Sequence, residues 1–126
     1  MLETHEECLV YLEEIRWHGF PTCPYCDSIK ASAYKNEHRY RCNACFTSYS
    51  VTVGTIFHKT HLDLQKWFQA ILLLCKLNPD ISARRLAREL DVSRPTASLM
   101  VKRIRNASAE QVEMLRAIVH GFEKLD

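Results

Sequence analysis

No stretch of this chain is apolar enough to enter a bilayer. A spanning helix needs about 18 to 20 consecutive apolar residues, and the longest apolar run covers only residues 70–75. An export signal is missing as well. The chain opens Met-Leu-Glu-Thr-His-Glu-Glu, which is acidic, whereas a secretory leader opens basic and continues into an apolar stretch. The expectation is an intracellular protein with no membrane partner. Internal repeats and low-complexity tracts are absent too, so nothing points to a repeat array. The length of 126 residues allows one compact domain or two very small ones.

A large net charge is also lacking: the total is only +2. Its distribution says more. Residues 1–22 carry −4, residues 23–60 carry +3, residues 61–80 balance, residues 81–105 carry +5 and residues 106–126 carry −2. A basic middle between acidic ends suggests a localised face for a polyanion.

What is present in quantity is cysteine, six in all. Without an export signal they do not suggest a disulfide framework. Cys23-x2-Cys26, then fifteen residues, then Cys42-x2-Cys45 is the four-thiolate zinc pattern. Each Cys-x2-Cys turn presents two thiolates from one tight loop, and together they complete a tetrahedron. Four thiolates leave no position for a reacting water, so the single Zn2+ expected here is structural. Tyr25, Tyr40 and Phe46 flank the ligands and are expected to pack where so small a unit has little other core. Cys8 and Cys75 lie on or beside apolar helical stripes and read as buried small hydrophobes. The six histidines show no ligand spacing; His38 is expected on the surface of the ribbon.

The rest of the chain is mainly helical. Residues 4–18 have helical apolar spacing and end at Gly19-Phe20-Pro21. Tyr34, His38, Tyr40 and Cys42 suggest a strand leading into the second cysteine pair, and alternation at Tyr49, Val51 and Val53 suggests another, broken by Gly54. Residues 61–77 place Leu64, Trp67, Phe68, Ile71, Leu72 and Cys75 on one face, with Thr60 as the expected cap and Asn78-Pro79 as the stop. Residues 108–122 form a last helix, with a Ser108/Gln111 capping box and an apolar stripe of Val112, Leu115, Ile118, Val119 and Phe122. The expected fold is mainly α with a small β zinc ribbon: N-terminal helix, four-Cys ribbon, linking helix, helix-turn-helix and C-terminal helix. The expected units are residues 1–58 and residues 59–126.

Residues 82–105 carry the second signal. Leu86, Ala87 and Leu90 are inward positions of a first helix, and Val92 plugs a turn at Asp91-Val92-Ser93. Ser93 caps a second helix, Pro95 is tolerated in its first turn, and Ala97, Met100, Val101 and Ile104 face inward. The opposite face of that second helix suits the major groove of double-stranded DNA. Arg94, Thr96 and Ser98 are placed for base edges and Leu99 for a thymine methyl. Lys102, Arg103 and Arg105 on the same helix, and Arg84 and Arg85 on the first, are placed for phosphates. Asp91 stands where such turns usually have glycine.

Taken together, the motifs resemble the N-terminal region of bacterial insertion-sequence transposases that begin with a transposase zinc ribbon. The matching stretches include Glu7-Cys8-Leu9-Val10-Tyr11-Leu12, Arg16-Trp17, Cys23-Pro24-Tyr25-Cys26 and Tyr40-Arg41-Cys42-Asn43-Ala44-Cys45. They continue through Gly54-Thr55-Ile56-Phe57, Trp67-Phe68 and the helix-turn-helix, covering residues 6–107. Asp27, where glycine is usual, and Tyr49, where phenylalanine is usual, are small departures. The resemblance implies a zinc-ribbon and helix-turn-helix unit that recognises transposon-end DNA. In full-length relatives a catalytic domain of the ribonuclease-H type follows, with three carboxylates holding two metal ions. Only 21 residues follow Arg105, and Glu110, Glu113 and Glu123 lie on one short helix.

The expectation is therefore a non-enzymatic, sequence-specific DNA-binding protein without catalytic residues, cytoplasmic and nucleoid-associated, acting as a transposase-derived transcriptional regulator. One alternative is a fragmentary transposase DNA-binding region that recognises transposon ends. A second is a zinc-ribbon interaction module whose terminal helices take a protein partner or a second copy of the chain.

Overall fold

The computed structural model describes residues 2–35, 37–58 and 60–123. Among them the chain forms helix α1 (His5–Trp17), strands β1 (Ala31–Ala33), β2 (Tyr40–Cys42) and β3 (Ser48–Tyr49), and helices α2 (Leu64–Leu72), α3 (Ala83–Leu90), α4 (Arg94–Arg105) and α5 (Ala109–Glu123). The architecture is mainly helical with a small antiparallel sheet, ordered β1-β2-β3, that carries the cysteines. No helix among the described residues is long and apolar enough to cross a membrane.

Local chemistry explains the helix ends. Thr4 accepts from the Glu7 amide at 3.1 Å to start α1, and His18 in the left-handed region ends it (φ 49°). Ser82 and Ser93 cap α3 and α4 by accepting from the Arg85 and Thr96 amides. Asp91 takes the left-handed conformation at the end of α3 (φ 55°), a role its short polar side chain tolerates where glycine is more usual.

The strands are shorter than the alternation suggests. Ala31–Ala33 pairs with Tyr40–Cys42, and the segment expected to lead as a strand from Tyr34 instead turns the chain, with the Tyr34 amide donating to the Arg39 carbonyl at 3.0 Å. After Tyr49 no partner strand remains, because β2 begins at Tyr40. Residues 51–58 therefore fold as successive turns, with amide-to-carbonyl bonds from Val53 to Ser50, Thr55 to Thr52 and His58 to Thr55. Arg16 of α1 donates to the Val51 carbonyl and fixes the start of this segment.

The linking helix begins at Leu64, later than expected, and Thr60 is not its cap. Thr60 accepts from the Trp67 indole at 3.1 Å, while the first helical amide, that of Leu64, donates to His5 Nδ1 at 2.9 Å. Past Leu72 the helix widens into a π-helical turn over Leu73–Leu77. Leu74 is buried there, whereas Cys75 is exposed at the rim of a groove against α5, contrary to the expectation of a buried thiol. Cys8 is buried as expected, and burial pushes its thiol up to about 12.

One continuous core joins these parts. Trp17 meets Tyr40 and Tyr49 edge-on, at 5.3 and 5.8 Å between centroids, beneath the ribbon. Phe57 meets Trp67 at 5.4 Å and Phe68 at 6.1 Å, which seats the turn segment on α2. Leu86, Ala87, Leu90, Ala97, Met100 and Ile104 are buried between α3 and α4, and Val92 packs half-buried in the turn, as the spacing requires. On α5, Leu115 and Ile118 are buried with Met114, while Val112, Val119 and Phe122 are half-buried. Gly121 lets α5 approach α1: a Cβ there would lie 2.7 Å from Tyr11 ring atoms.

Candidate metal centre and nucleic-acid face

Each cysteine pair occupies the same backbone device. In the first knuckle the Cys23 amide donates to the Ser28 carbonyl and the Asp27 amide to the Cys23 carbonyl; in the second, Cys42 donates to Thr47 and Phe46 to Cys42, all at 2.9 Å. The residue after the second ligand closes each loop in the left-handed region, Asp27 at φ 64° and Phe46 at φ 64°. Asp27 thus adopts the conformation that a glycine would take most readily. The sequence marks Asp27 as a departure from glycine and Phe46 as a flanking aromatic, but their shared left-handed role was missed; their common place after the second cysteine was the available signal.

The loops bring the four sulfurs together within 4.8 Å of one another, with Cys23–Cys45 at 3.6 Å and Cys26–Cys42 at 3.5 Å. These separations are far too long for a disulfide. They match a zinc tetrahedron, whose edge is about 3.8 Å for Zn–S bonds of about 2.3 Å. Backbone amides are aimed at the sulfurs: Tyr25 at Cys23, and Ala44 and Cys45 at Cys42, each at 3.4 Å. The Cys45 and Ala44 amides hold the Cys42 thiol down to about 6, and the Thr47 hydroxyl holds Cys45 below the usual thiol range. Cys26 is pushed the other way, up to about 12, with the neighbouring sulfurs among the causes, so the fit to a dication rests on the four converging sulfurs and the amides aimed at them. Cys23, Cys26, Cys42 and Cys45 form one structural zinc site.

Packing around the site differs from expectation for two of the three flanking aromatics. Tyr40 stacks on Tyr49 and donates to the Glu13 carboxylate at 3.0 Å, but Tyr25 and Phe46 are exposed. The inner ligands Cys23 and Cys42 face the Trp17, Tyr40 and Tyr49 cluster, so the residues beside the outer ligands point to solvent. Tyr49 is fully buried, and its hydroxyl has no hydrogen-bond partner among the described residues. His38 lies on the ribbon beside α1, between Glu6 and Glu13, at 3.4 and 3.7 Å.

Most of the residues expected to meet DNA are exposed on α3 and α4. Arg84, Arg85, Arg94, Ser98, Leu99, Lys102 and Arg105 are exposed, with Leu99 at 45%. Thr96 is half-buried, and its hydroxyl accepts from Ser93 within the α4 cap at 2.8 Å. Arg85 pairs with Glu89 at 3.4 Å. Among the described residues no carboxylate pairs with Arg84, Arg94 or Lys102. Arg105 donates to the Pro79 carbonyl. Arg103 is half-buried and donates to the carbonyls of Ile56 and His58 at 3.1 and 3.3 Å. Gln111 grips the same turn from α5: it accepts from the Ile56 amide at 3.0 Å and donates to the Gly54 carbonyl at 3.5 Å. The expected capping box at Ser108 is therefore half made, because the Gln111 side chain is used elsewhere.

Comparison with known proteins agrees with this geometry. Residues 3–48 match the transposase zinc-ribbon domain. Over 99 residues the chain is 34% identical to an uncharacterized protein in the transposable element ISH50 of Halobacterium salinarum. That match covers 76% of this chain and 33% of the relative, so the chain spans about a third of the relative's length. No solved structure matches. The four-cysteine cluster and both of its equivalent knuckles lie within residues 3–48, the segment that matches the transposase zinc-ribbon domain.

Proposed function

We propose that this chain is the DNA-recognition part of a transposase and binds the ends of its mobile element as duplex DNA. On this reading α3, the Asp91–Ser93 turn and α4 act as a helix-turn-helix, with the outer face of α4 in the major groove. The observation that carries the reading is that face: Arg94, Ser98, Leu99 and Lys102 are exposed together, with no acid neutralising either cation among the described residues. A capped helix of twelve residues with polar side chains at its N-terminal end is the form that reads base edges. Lys102, Arg84, Arg85 and Arg105 supply phosphate contacts, while Arg103 holds the ribbon-side turn against α4.

The relative's place in a transposable element favours this reading over a transcriptional regulator with unrelated targets. Strand cleavage is not assigned to these residues. Glu113 is paired with Arg116 and Glu123 with Lys76. The test is selection from random duplexes, followed by titration with the terminal sequences of the element that encodes the chain. Preference for those termini is expected. Equal affinity for every duplex would overturn the reading.

A further inference from the structure

The ribbon exposes apolar side chains that its own fold has no need to expose. Phe20 is 65% exposed, Tyr25 59%, Ile29 63% and Phe46 67%, although Trp17, Tyr40 and Tyr49 already supply an aromatic core beneath the same ribbon. Tyr25 and Phe46 each neighbour an outer ligand, Cys26 and Cys45, whose sulfurs lie within 4.8 Å of each other. Both rings therefore stand at the zinc end, on loops fixed by metal and by amide–sulfur bonds. Cations stand beside them. The Arg41 guanidinium lies 5.2 Å from the Phe46 ring centroid, and the Asn43 amide donates to the Lys30 carbonyl at 2.8 Å, so Lys30 borders the second knuckle. Lys30 and Arg41 have no carboxylate partner among the described residues. Asp27 is the one acid in the first knuckle.

We propose that the zinc end of the ribbon is a second nucleic-acid site, specific for unpaired nucleotides of single-stranded DNA. The chemistry selects that partner. Exposed rings offer stacking faces to bases, but a closed duplex has no free base face to stack on them. A base on an aromatic ring, with cations beside it for the phosphates, is the usual arrangement for single strands. The Arg41 guanidinium lies over the Phe46 ring, and the residue nevertheless stays 67% exposed, which leaves ring surface for a base. Rings held on rigid knuckles lose little freedom on binding. A purely apolar protein partner would not use the cations beside these rings. The site is separate from α4 in sequence and in chemistry: one face stacks, the other reads groove edges.

The test uses the full, zinc-loaded chain and a fluorescein-labelled oligothymidylate, with a duplex of equal length as comparison, followed by anisotropy at low salt. The oligothymidylate is expected to bind. Tyr25→Ala and Phe46→Ala are each expected to weaken it about tenfold, the order of one lost stacking contact, with zinc content and circular dichroism unchanged. Phe46→Trp should retain binding. Arg94→Ala should leave oligothymidylate affinity unchanged, which separates this site from α4. The proposal is overturned if the wild-type chain ignores the oligothymidylate, or if the folded Tyr25→Ala/Phe46→Ala double variant binds it with full affinity. It is also overturned if Arg94→Ala abolishes binding, or if the patch instead drives self-association that the double variant removes.

Discussion

Gly121→Ala puts the joint between the first and last helices under direct load. An added Cβ would lie 2.7 Å from Tyr11 Cζ, 2.7 Å from its hydroxyl oxygen and 2.9 Å from Cε2. Ordinary contact requires the ring to retreat by more than half an ångström, but the ring is not free, because its hydroxyl donates to the Ala117 carbonyl at 2.8 Å. Retreat therefore strains or breaks that bond. Overpacking costs about 1–3 kcal/mol and the bond about 1 kcal/mol. Against this, alanine in a helix interior gains about 1 kcal/mol over glycine. The net expectation is a loss of roughly 1–3 kcal/mol, or about 3–10 °C in Tm for a chain of this size. Thermal unfolding by circular dichroism measures it. Tyr11→Leu in the same background should relieve the clash, giving a coupling of the opposite sign in a double-mutant cycle. A Gly121→Ala variant that melts higher than wild type, as a plain helix-propensity gain would make it, refutes the close approach of α1 and α5.

Three other outcomes follow from the site. Cys42→Ser is expected to lose the metal and unfold the ribbon, since the binding energy of a structural zinc is folding energy; Cys8→Ala should keep one zinc per chain by metal analysis. Tyr49→Phe removes a buried hydroxyl that has no partner among the described residues, so the variant should be at least as stable as wild type in thermal unfolding, by up to about 1–3 kcal/mol of relieved desolvation. In duplex binding, Lys102→Ala should lower the salt slope by about 0.9 with little change in sequence preference, whereas Arg94→Ala should cost about 1–3 kcal/mol at one base position and relax preference there.

Much of this fold is legible in sequence because its signals are local. The cysteine spacing specifies the knuckles, Ser93 specifies the start of α4, and the inward positions of α3 and α4 follow the helical period. What is not legible depends on partners distant in sequence. Val51 and Val53 alternate like a strand, but β2 has no residues left to pair with them, and Arg16 takes the Val51 carbonyl instead. Thr60 looks like a cap, but the Trp67 indole claims its oxygen, and His5 of α1 satisfies the first amide of α2. Gln111 has the spacing of a capping box, yet its amide group is drawn to the turn at residues 54–56. Tyr25 and Phe46 are hydrophobic by type, and only the orientation of the knuckles shows that they face water.

Arg103 shows how such a distant partner changes function. By position on α4 it suits a phosphate, but its guanidinium is bound to the Ile56 and His58 carbonyls, on a turn that Gln111 grips from the other side and Phe57 anchors in the core. That turn carries the chain from β3 toward α2, so Arg103 ties the ribbon-side segment to the recognition helix. Its removal should act first on stability. A charged donor shared by two half-buried carbonyls contributes about 1–3 kcal/mol, or roughly 3–10 °C in Tm. A surface phosphate contact, by contrast, would leave Tm unchanged and lower the salt slope by about 0.9. Arg103→Ala should therefore melt earlier while keeping the wild-type salt slope for duplex binding, the reverse of Lys102→Ala. Unchanged melting with a reduced slope would return Arg103 to the phosphate backbone and leave the turn held by Gln111 and Phe57 alone.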